Sequence, residues 1–288
     1  MLGEAPLAVA AGELWYFWER GLLEDRLCAC GAAFSECPFW VQVLDVAPEL
    51  RAAEGDMRQF LQREGRSRHM RRWTSARQRR RRTSPDDQAA LERLAVMYRT
   101  ISEASECPVI VDSSKSPTYG GMLALVPGID LYVINLVRRP EAVTHSWQRT
   151  VLQRDTPGKT YRDQMGTLKS AGLWTLWEAG ARGLVRSVGR RGLTVRYEDF
   201  VANPGPTLSS IGRLVPELAS SPALQPGSSE VVLSPSHFLS GNPNRFTTGA
   251  VALRADDEWR QHARPGSRTL VRLITAPLAR RVGYTSAP

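Results

Sequence analysis

Two short apolar runs in this chain end abruptly in groups that can do chemistry. V-I-V-D-S-S-K-S-P runs from Val109 to Pro117, and L-Y-V-I-N-L-V-R-R-P from Leu131 to Pro140. Each reads as a buried parallel strand with a polar loop at its carboxyl end. Ligands of open α/β sheets bind at such ends. The first loop offers Asp112, two serine hydroxyls and Lys115. The second offers Arg138 and Arg139, then Ser146 on a helix that Pro140 opens. A lysine, arginines and hydroxyls at strand ends suit a phosphate- or sulfate-bearing ligand. Asp112 reads as a cap of its loop.

Other elements must hold these loops in place. Ala8 to Gly12 reads as a strand and Glu13 to Glu24 as an amphipathic aromatic helix. Residues 49–65 and 87–104 read as helices, the second behind the start signal Ser84-Pro85-Asp86. The two runs above give strands at 108–112 and 131–137. A helix follows at 140–154, and residues 161–188 read as one or two helices, with Trp174 and Trp177 on one core-facing side. A strand at Leu193–Tyr197, a helix at 205–217, a surface loop at 218–236 and a helix from about 267 to 281, with Ser267 as its candidate N-cap, complete the reading. There is no internal repeat and no domain boundary. The expected organisation is a single domain, residues 1–288, with an Arg-rich insertion at about 63–85.

Composition narrows the class. A chain of 288 residues can bury one large α/β core. No run approaches the ~18 apolar residues of a membrane helix, and Gly3, Glu4 and Pro6 follow Met1 without a signal-like stretch. The expectation is a cytoplasmic protein with no transmembrane segment. The formal net charge of +9 is local: residues 63–82 hold ten Arg against one acid, Glu64, and the remainder is neutral. That pattern fits a solvated basic face, an acidic acceptor or an anionic surface. No reader motif accompanies it, so specific nucleic-acid binding is not expected. Like charges so closely spaced repel, so the segment is expected to be mobile and on the solvent or acceptor side.

The four cysteines are Cys28, Cys30, Cys37 and Cys107. C-x-C is not the usual C-x2-C zinc spacing, and no histidine is near in sequence. A Cys30–Cys37 disulfide and a metal site stay open, but the primary reading is a structural knot around Trp40 without metal. Pro157-Gly158-Lys159-Thr160 ends like a Walker A loop, but Gln153 stands where its first glycine belongs. His145 and His237 lack the partners of a Ser-His-Asp triad.

Taken together, the motifs resemble the sulfotransferases that use 3′-phosphoadenosine 5′-phosphosulfate (PAPS). Arg138 and Ser146, eight residues apart across a strand-to-helix junction, match the family's 3′-phosphate pair. Tyr197-Glu198-Asp199-Phe200 is similar to its Y-E-D motif. His237 to Gly249, with G-N-P-N-R-F-T-T-G, is similar to its C-terminal basic loop. The resemblance covers residues 1 to about 260. It implies a helix-rich, P-loop-like three-layer α/β fold around a central parallel sheet. It implies PAPS as sulfuryl donor, no metal in the reaction, and a small-molecule, lipid or glycan hydroxyl as acceptor. Arg138, Ser146, Tyr197, Arg245 and Gly249 would bind the nucleotide, with Tyr197 either meeting the adenine or packing in the core. Lys115 would stabilise charge, unless it is an ordinary surface lysine. Glu13 would be the acceptor base, unless it only favours a helix start; His237 is the next candidate. The R-x-G-S-T-like loop that holds the 5′-phosphosulfate in the family, and the strand before it, have no counterpart here. The expected consequence is an impaired enzyme or a non-catalytic anion-binding protein built on the same fold.

Overall fold

A computed structural model of the chain describes residues 1–81, 83–156, 160–220 and 230–284. Pro157-Gly158-Lys159 of the Walker-like sequence, Arg82 and residues 221–229 of the expected 218–236 loop lie outside these residues.

The fold is α/β, dominated by helix, with small parallel sheets. Strand β1 is Ala8–Gly12. Instead of a regular helix, a 3-10 turn at Leu14–Tyr16 and a π-helical stretch at Phe17–Leu23 follow it. Leu14 of the 3-10 turn and Phe17 and Trp18 of the π-helical stretch are all buried in one core. Helices α1 (Pro38–Val46), α2 (Glu49–Ala52) and α3 (Glu54–Glu64) come next, then α4 (Met70–Thr74), α5 (Ala76–Arg81) and α6 (Pro85–Ser105). The start of α6 is a reciprocal cap: Ser84 accepts from the Asp87 amide at 3.2 Å, and Asp87 accepts from the Ser84 amide at 2.7 Å.

Strand β2 (Val109–Asp112) pairs in parallel with β1, Val109 opposite Ala8. Helix α7 (Pro117–Leu123) leads towards β3 (Val133–Val137), and α8 (Pro140–Gln148) leaves its end. Helix α8 stops short of residue 154, because a two-stranded antiparallel ribbon of β4 (Leu152–Gln153) and β5 (Thr160–Tyr161) begins. Helix α9 (Thr167–Val188) is continuous. Strand β6 (Gly192–Arg196) pairs in parallel with β3, and α10 (Tyr197–Ala202) and α11 (Pro204–Leu214) follow. Tyr197 therefore opens a helix and does not end a strand. Part of the expected 218–236 loop is strand: β7 (Glu230–Leu233) pairs with β8 (Gly249–Ala252). Helices α12 (Glu258–His262) and α13 (Pro265–Arg281) close the chain; Ser267 lies inside α13 and does not cap it. No helix among the described residues is long and apolar enough to cross a membrane.

The main core gathers Phe17, Trp18, Phe34, Trp40, Leu50 and Met97 between β1, α1, α3 and α6. Its rings meet edge-on, Phe17 to Trp18 at 5.0 Å, or stacked, Phe34 on Trp40 at 5.3 Å. A second cluster joins the two parallel pairs: Ala8, Val109, Val111, Ile134 and Leu193 pack with Ile211 of α11. Trp174 is buried, but Trp177 is 39% exposed, its ring edge-to-face with Trp147 at 6.3 Å. The pair is thus half core and half surface.

The Arg-rich segment departs most from expectation. It is folded into α4 and α5, and Met70, Trp73 and Thr74 of α4 are buried. Glu64, 3% exposed, collects Arg72 at 2.7 Å, His69 at 3.2 Å and the Trp73 indole N–H at 3.1 Å. Arg72 also pairs with Asp87. Arg79, 6% exposed, donates to the Trp73 carbonyl at 3.1 Å and to the Ser187 hydroxyl at 2.9 Å on α9. Its neighbours Arg80 and Arg81 are exposed. In denaturant titrations Arg79→Ala is expected to cost about 1.5–3 kcal/mol, the scale of charged hydrogen bonds. Arg80→Ala and Arg81→Ala should stay within about 0.5 kcal/mol. Equal effects at all three positions would contradict the placement of Arg79.

Candidate functional site

β1 and β2 run in parallel as neighbours, so the loops at their carboxyl ends emerge side by side. Glu13 leaves β1 and Lys115 leaves β2, and their side chains form an ion pair. The Glu13 side chain is 9% exposed and that of Lys115 54%, so the carboxylate is sheltered while the ammonium keeps a face to solvent. Lys115 is held at φ +57°, in the left-handed region that a side chain enters at a cost of about 1–3 kcal/mol.

A hydrogen-bond lattice ties the two loops together. The Ser113 amide donates to the Gly12 carbonyl at 2.7 Å, and the Trp15 amide donates to Ser114 Oγ at 2.9 Å. Asp112 accepts from the Ser114 amide at 2.8 Å, the Ser114 hydroxyl at 2.5 Å and the Tyr98 hydroxyl at 2.5 Å. Asp112 thus caps its loop. Burial pushes its carboxyl up, opposed by these donors, and burial likewise pushes the Tyr98 and Tyr119 hydroxyls up.

A segment from the far end of the chain covers the pair. The Leu239 amide donates to the Ala11 carbonyl at 3.0 Å, and the Glu13 amide to the Leu239 carbonyl at 2.7 Å. Gly12, at φ +89°, has no room for a side chain: a Cβ would lie 2.3 Å from the Leu239 oxygen. Arg20 holds the Ser240 hydroxyl at 2.5 Å, and Gly241 lies against the Glu13 carboxylate. Arg245 serves the same segment. Its side chain, 4% exposed, bonds Gly241 O at 2.9 Å, Leu27 O at 3.2 Å and Asp155 at 2.9 Å. The structure therefore places Arg245 beside the cover over Glu13, with its guanidinium committed to internal partners. Gly249, at φ +80°, begins β8 in open space.

A second cluster forms where β3 ends. The Arg138 guanidinium reaches the Asp256 carboxylate at 3.0 Å and carbonyl at 2.8 Å, and lies 4.7 Å from the Tyr197 ring centre. The loop backbone is fixed from three sides. Glu198 accepts from the Arg139 amide at 3.0 Å, the Trp174 indole donates to the Arg138 carbonyl at 3.1 Å, and the Tyr284 hydroxyl bonds Glu198 at 2.5 Å. Ser146 is half-buried on α8, and its carbonyl accepts from Arg162 at 2.5 Å. Arg138 turns towards Asp256 and Tyr197. A cavity of about 310 Å³ opens beside it, lined by Arg139, Tyr197, Glu198, Asp256, Trp259 and Arg260.

His237 joins neither cluster. It stacks on Phe39 at 5.2 Å and stands among Cys28, Cys30 and Cys37. The histidine missing near the cysteines in sequence is present in space, which corrects the reading of that knot as lacking a fourth ligand. Sequence reasoning also missed Asp256 and Asp155, because no spacing links them to Arg138 and Arg245.

The chain matches no family model, no curated protein and no solved structure.

Tyr98→Phe tests the lattice under the Glu13–Lys115 pair. It removes one donor from Asp112 and is expected to cost about 1.5–3 kcal/mol. Burial already raises the Asp112 carboxyl in the folded state, so its ionisation lowers stability as pH rises through that window. The deficit of Tyr98→Phe should therefore shrink as pH falls and Asp112 takes up its proton. A pH-independent deficit in thermal unfolding would contradict this role.

Proposed function

We propose that the chain is a sulfotransferase that moves a sulfuryl group from PAPS to a hydroxyl acceptor. The Glu13–Lys115 pair carries the reading. It sets a sheltered carboxylate against a partly exposed ammonium at adjacent carboxyl ends of two parallel strands, the place where α/β sheets bind ligands. In the reaction the acceptor oxygen forms a bond to sulfur while the bond from sulfur to the donor's phosphate oxygen breaks. Glu13 takes the acceptor proton. Lys115 turns its ammonium to the charge gathering on the sulfuryl and leaving oxygens.

In this reading the β1–β2 and β3–β6 pairs are parts of one P-loop-like three-layer sheet. The shared cluster of Ala8, Val111, Ile134 and Leu193 under α11 supports that. Arg138, Ser146 and Tyr197 then form the nucleotide end, with Asp256 occupying the place on Arg138 that a phosphate would take. The arginine-lined groove of Arg68, Arg71 and Arg72, about 720 Å³, belongs to the acceptor side and favours an acidic small molecule, lipid or glycan.

A second reading has one specific observation behind it. Lys115, Arg138 and Arg245 are each matched by an internal carboxylate, Glu13, Asp256 and Asp155. A protein that binds the nucleotide without transfer would tolerate such pairing.

Transfer of labelled sulfate from PAPS to a panel of hydroxyl acceptors, with calorimetric binding of the desulfated nucleotide, separates the two. Glu13→Gln is expected to lower turnover by ~10²–10⁴ and leave nucleotide affinity nearly unchanged. Arg138→Ala should weaken nucleotide binding by about 1.5–3 kcal/mol, and Asp256→Asn should tighten it by removing a competitor. Binding without transfer would select the second reading; Arg138→Ala with unaltered affinity would reject both.

A further inference from the structure

The three cysteines and His237 come together from two distant parts of the chain. Their ligand atoms all lie within 4.8 Å of one another. The sulfurs of Cys30 and Cys37 are 3.6 Å apart, as are those of Cys37 and Cys28. His237 Nδ1 lies 3.2 Å from Cys37 Sγ and 3.9 Å from Cys28 Sγ. A bonded disulfide would need about 2.05 Å, and all four cysteines of the chain are free thiols. Zinc at ~2.3 Å from each sulfur sets tetrahedral edges of ~3.8 Å, slightly shorter where nitrogen replaces sulfur. The cluster already approximates those edges.

We propose that Cys28, Cys30, Cys37 and His237 form a structural Cys3His zinc site. The local backbone is shaped for it. Gly31, at φ +93°, allows the tight turn after Cys30, and the Gly31 amide closes that turn on the Cys28 carbonyl at 2.9 Å. The Leu27–Ala33 bridge makes the turn the tip of a narrow hairpin. Cys37 is the N-cap of α1, so the positive end of a nine-residue helix faces its sulfur. His237 is oriented by its stack on Phe39. Four protein ligands close the shell, which marks a structural site and not a catalytic one.

The ligand set spans 209 positions, from Cys28 to His237. His237 stands two residues before Leu239, whose backbone bonds to Ala11 and Glu13, and the Ala29 amide donates to the Phe238 carbonyl at 3.1 Å. Zinc would therefore pin the 237–241 segment over the Glu13–Lys115 pair, whatever reaction that pair performs.

Elemental analysis of the full chain, purified under reducing conditions without added metal, should find about one zinc per chain. Cobalt(II) added to the stripped, reduced chain should give the visible bands of a tetrahedral thiolate complex. Cys30 is exposed, so Cys30→Ser opens no cavity. It should keep the parent circular dichroism yet lose zinc to a chelator that leaves the parent loaded. His237→Ala should do the same. A reduced, folded chain that holds no zinc and gives no cobalt bands would overturn the proposal. So would variants that retain metal as the parent does, or a Cys30–Cys37 disulfide in the freshly isolated protein.

Discussion

A carboxylate taken out of water must find a cation or a set of donors, and Glu13 is such a carboxylate. Lys115 beside it offsets its desolvation. That demand fixes much else. The two residues are 102 positions apart, so β1 and β2 must pair in parallel to deliver them to one edge. Lys115 must hold a left-handed backbone, and the Asp112–Ser114–Tyr98 lattice supplies the rigidity that keeps it there. Gly12 must be glycine, because the Leu239 backbone lies where a side chain would go. The far end of the chain is thereby drawn across the first strand.

The same rule organises the basic character of the molecule. Ten arginines in one short segment look like a surface feature, yet Glu64 and Asp87 draw Arg72 inward. Arg79 is satisfied by a carbonyl and a hydroxyl instead of an acid. Because a guanidinium carries five donors, it can bridge elements that no apolar side chain would join, here α5 to α9. Arg245 does likewise between Leu27, Asp155 and Gly241. Removing one partner from such a pair leaves a buried charge, which is why these arginines are structural even in a strongly basic chain.

What the sequence makes legible follows from the range of each interaction. Strands β2 and β3 can be read because an apolar run ending in polar residues is a local signal, and the Ser84 cap because its partner is three residues away. The shared edge of Glu13 and Lys115 is anticipated only through the resemblance, which gives both residues a part in one reaction; the pairing of β1 with β2 that creates it carries no local signal. By contrast, the π-helical turn at Phe17–Leu23 answers to the crowding of Phe17, Trp18, Phe34 and Trp40, which no local pattern reveals. Arg138 meets Asp256 across 118 residues and Cys37 meets His237 across 200. Those pairings exist only once α12 and the 237–241 segment have docked. Arg245 shows how this misleads: its place in a phosphate-like motif is plain in the sequence, while the buried Asp155 that holds it is not.

The two clusters at strand ends are rigid in different ways. The end of β3 and its loop are clamped through their backbone, by Glu198 at the Arg139 amide, Trp174 at the Arg138 carbonyl and Tyr284 at the Val137 carbonyl. The Glu13–Lys115 pair is held through side chains and through a covering segment anchored elsewhere, by Arg20 at Ser240 and Arg245 at Gly241. A ligand at the first cluster has only to outcompete the half-exposed Asp256. A ligand at the second has to part an ion pair whose carboxylate is sheltered, and Lys115, with its exposed face, is the partner free to move. On the proposed reading, this asymmetry suits the Arg138 end to binding and the Glu13 end to proton transfer. The anchoring of residues 237–241 also helps to keep the Glu13 carboxylate out of water.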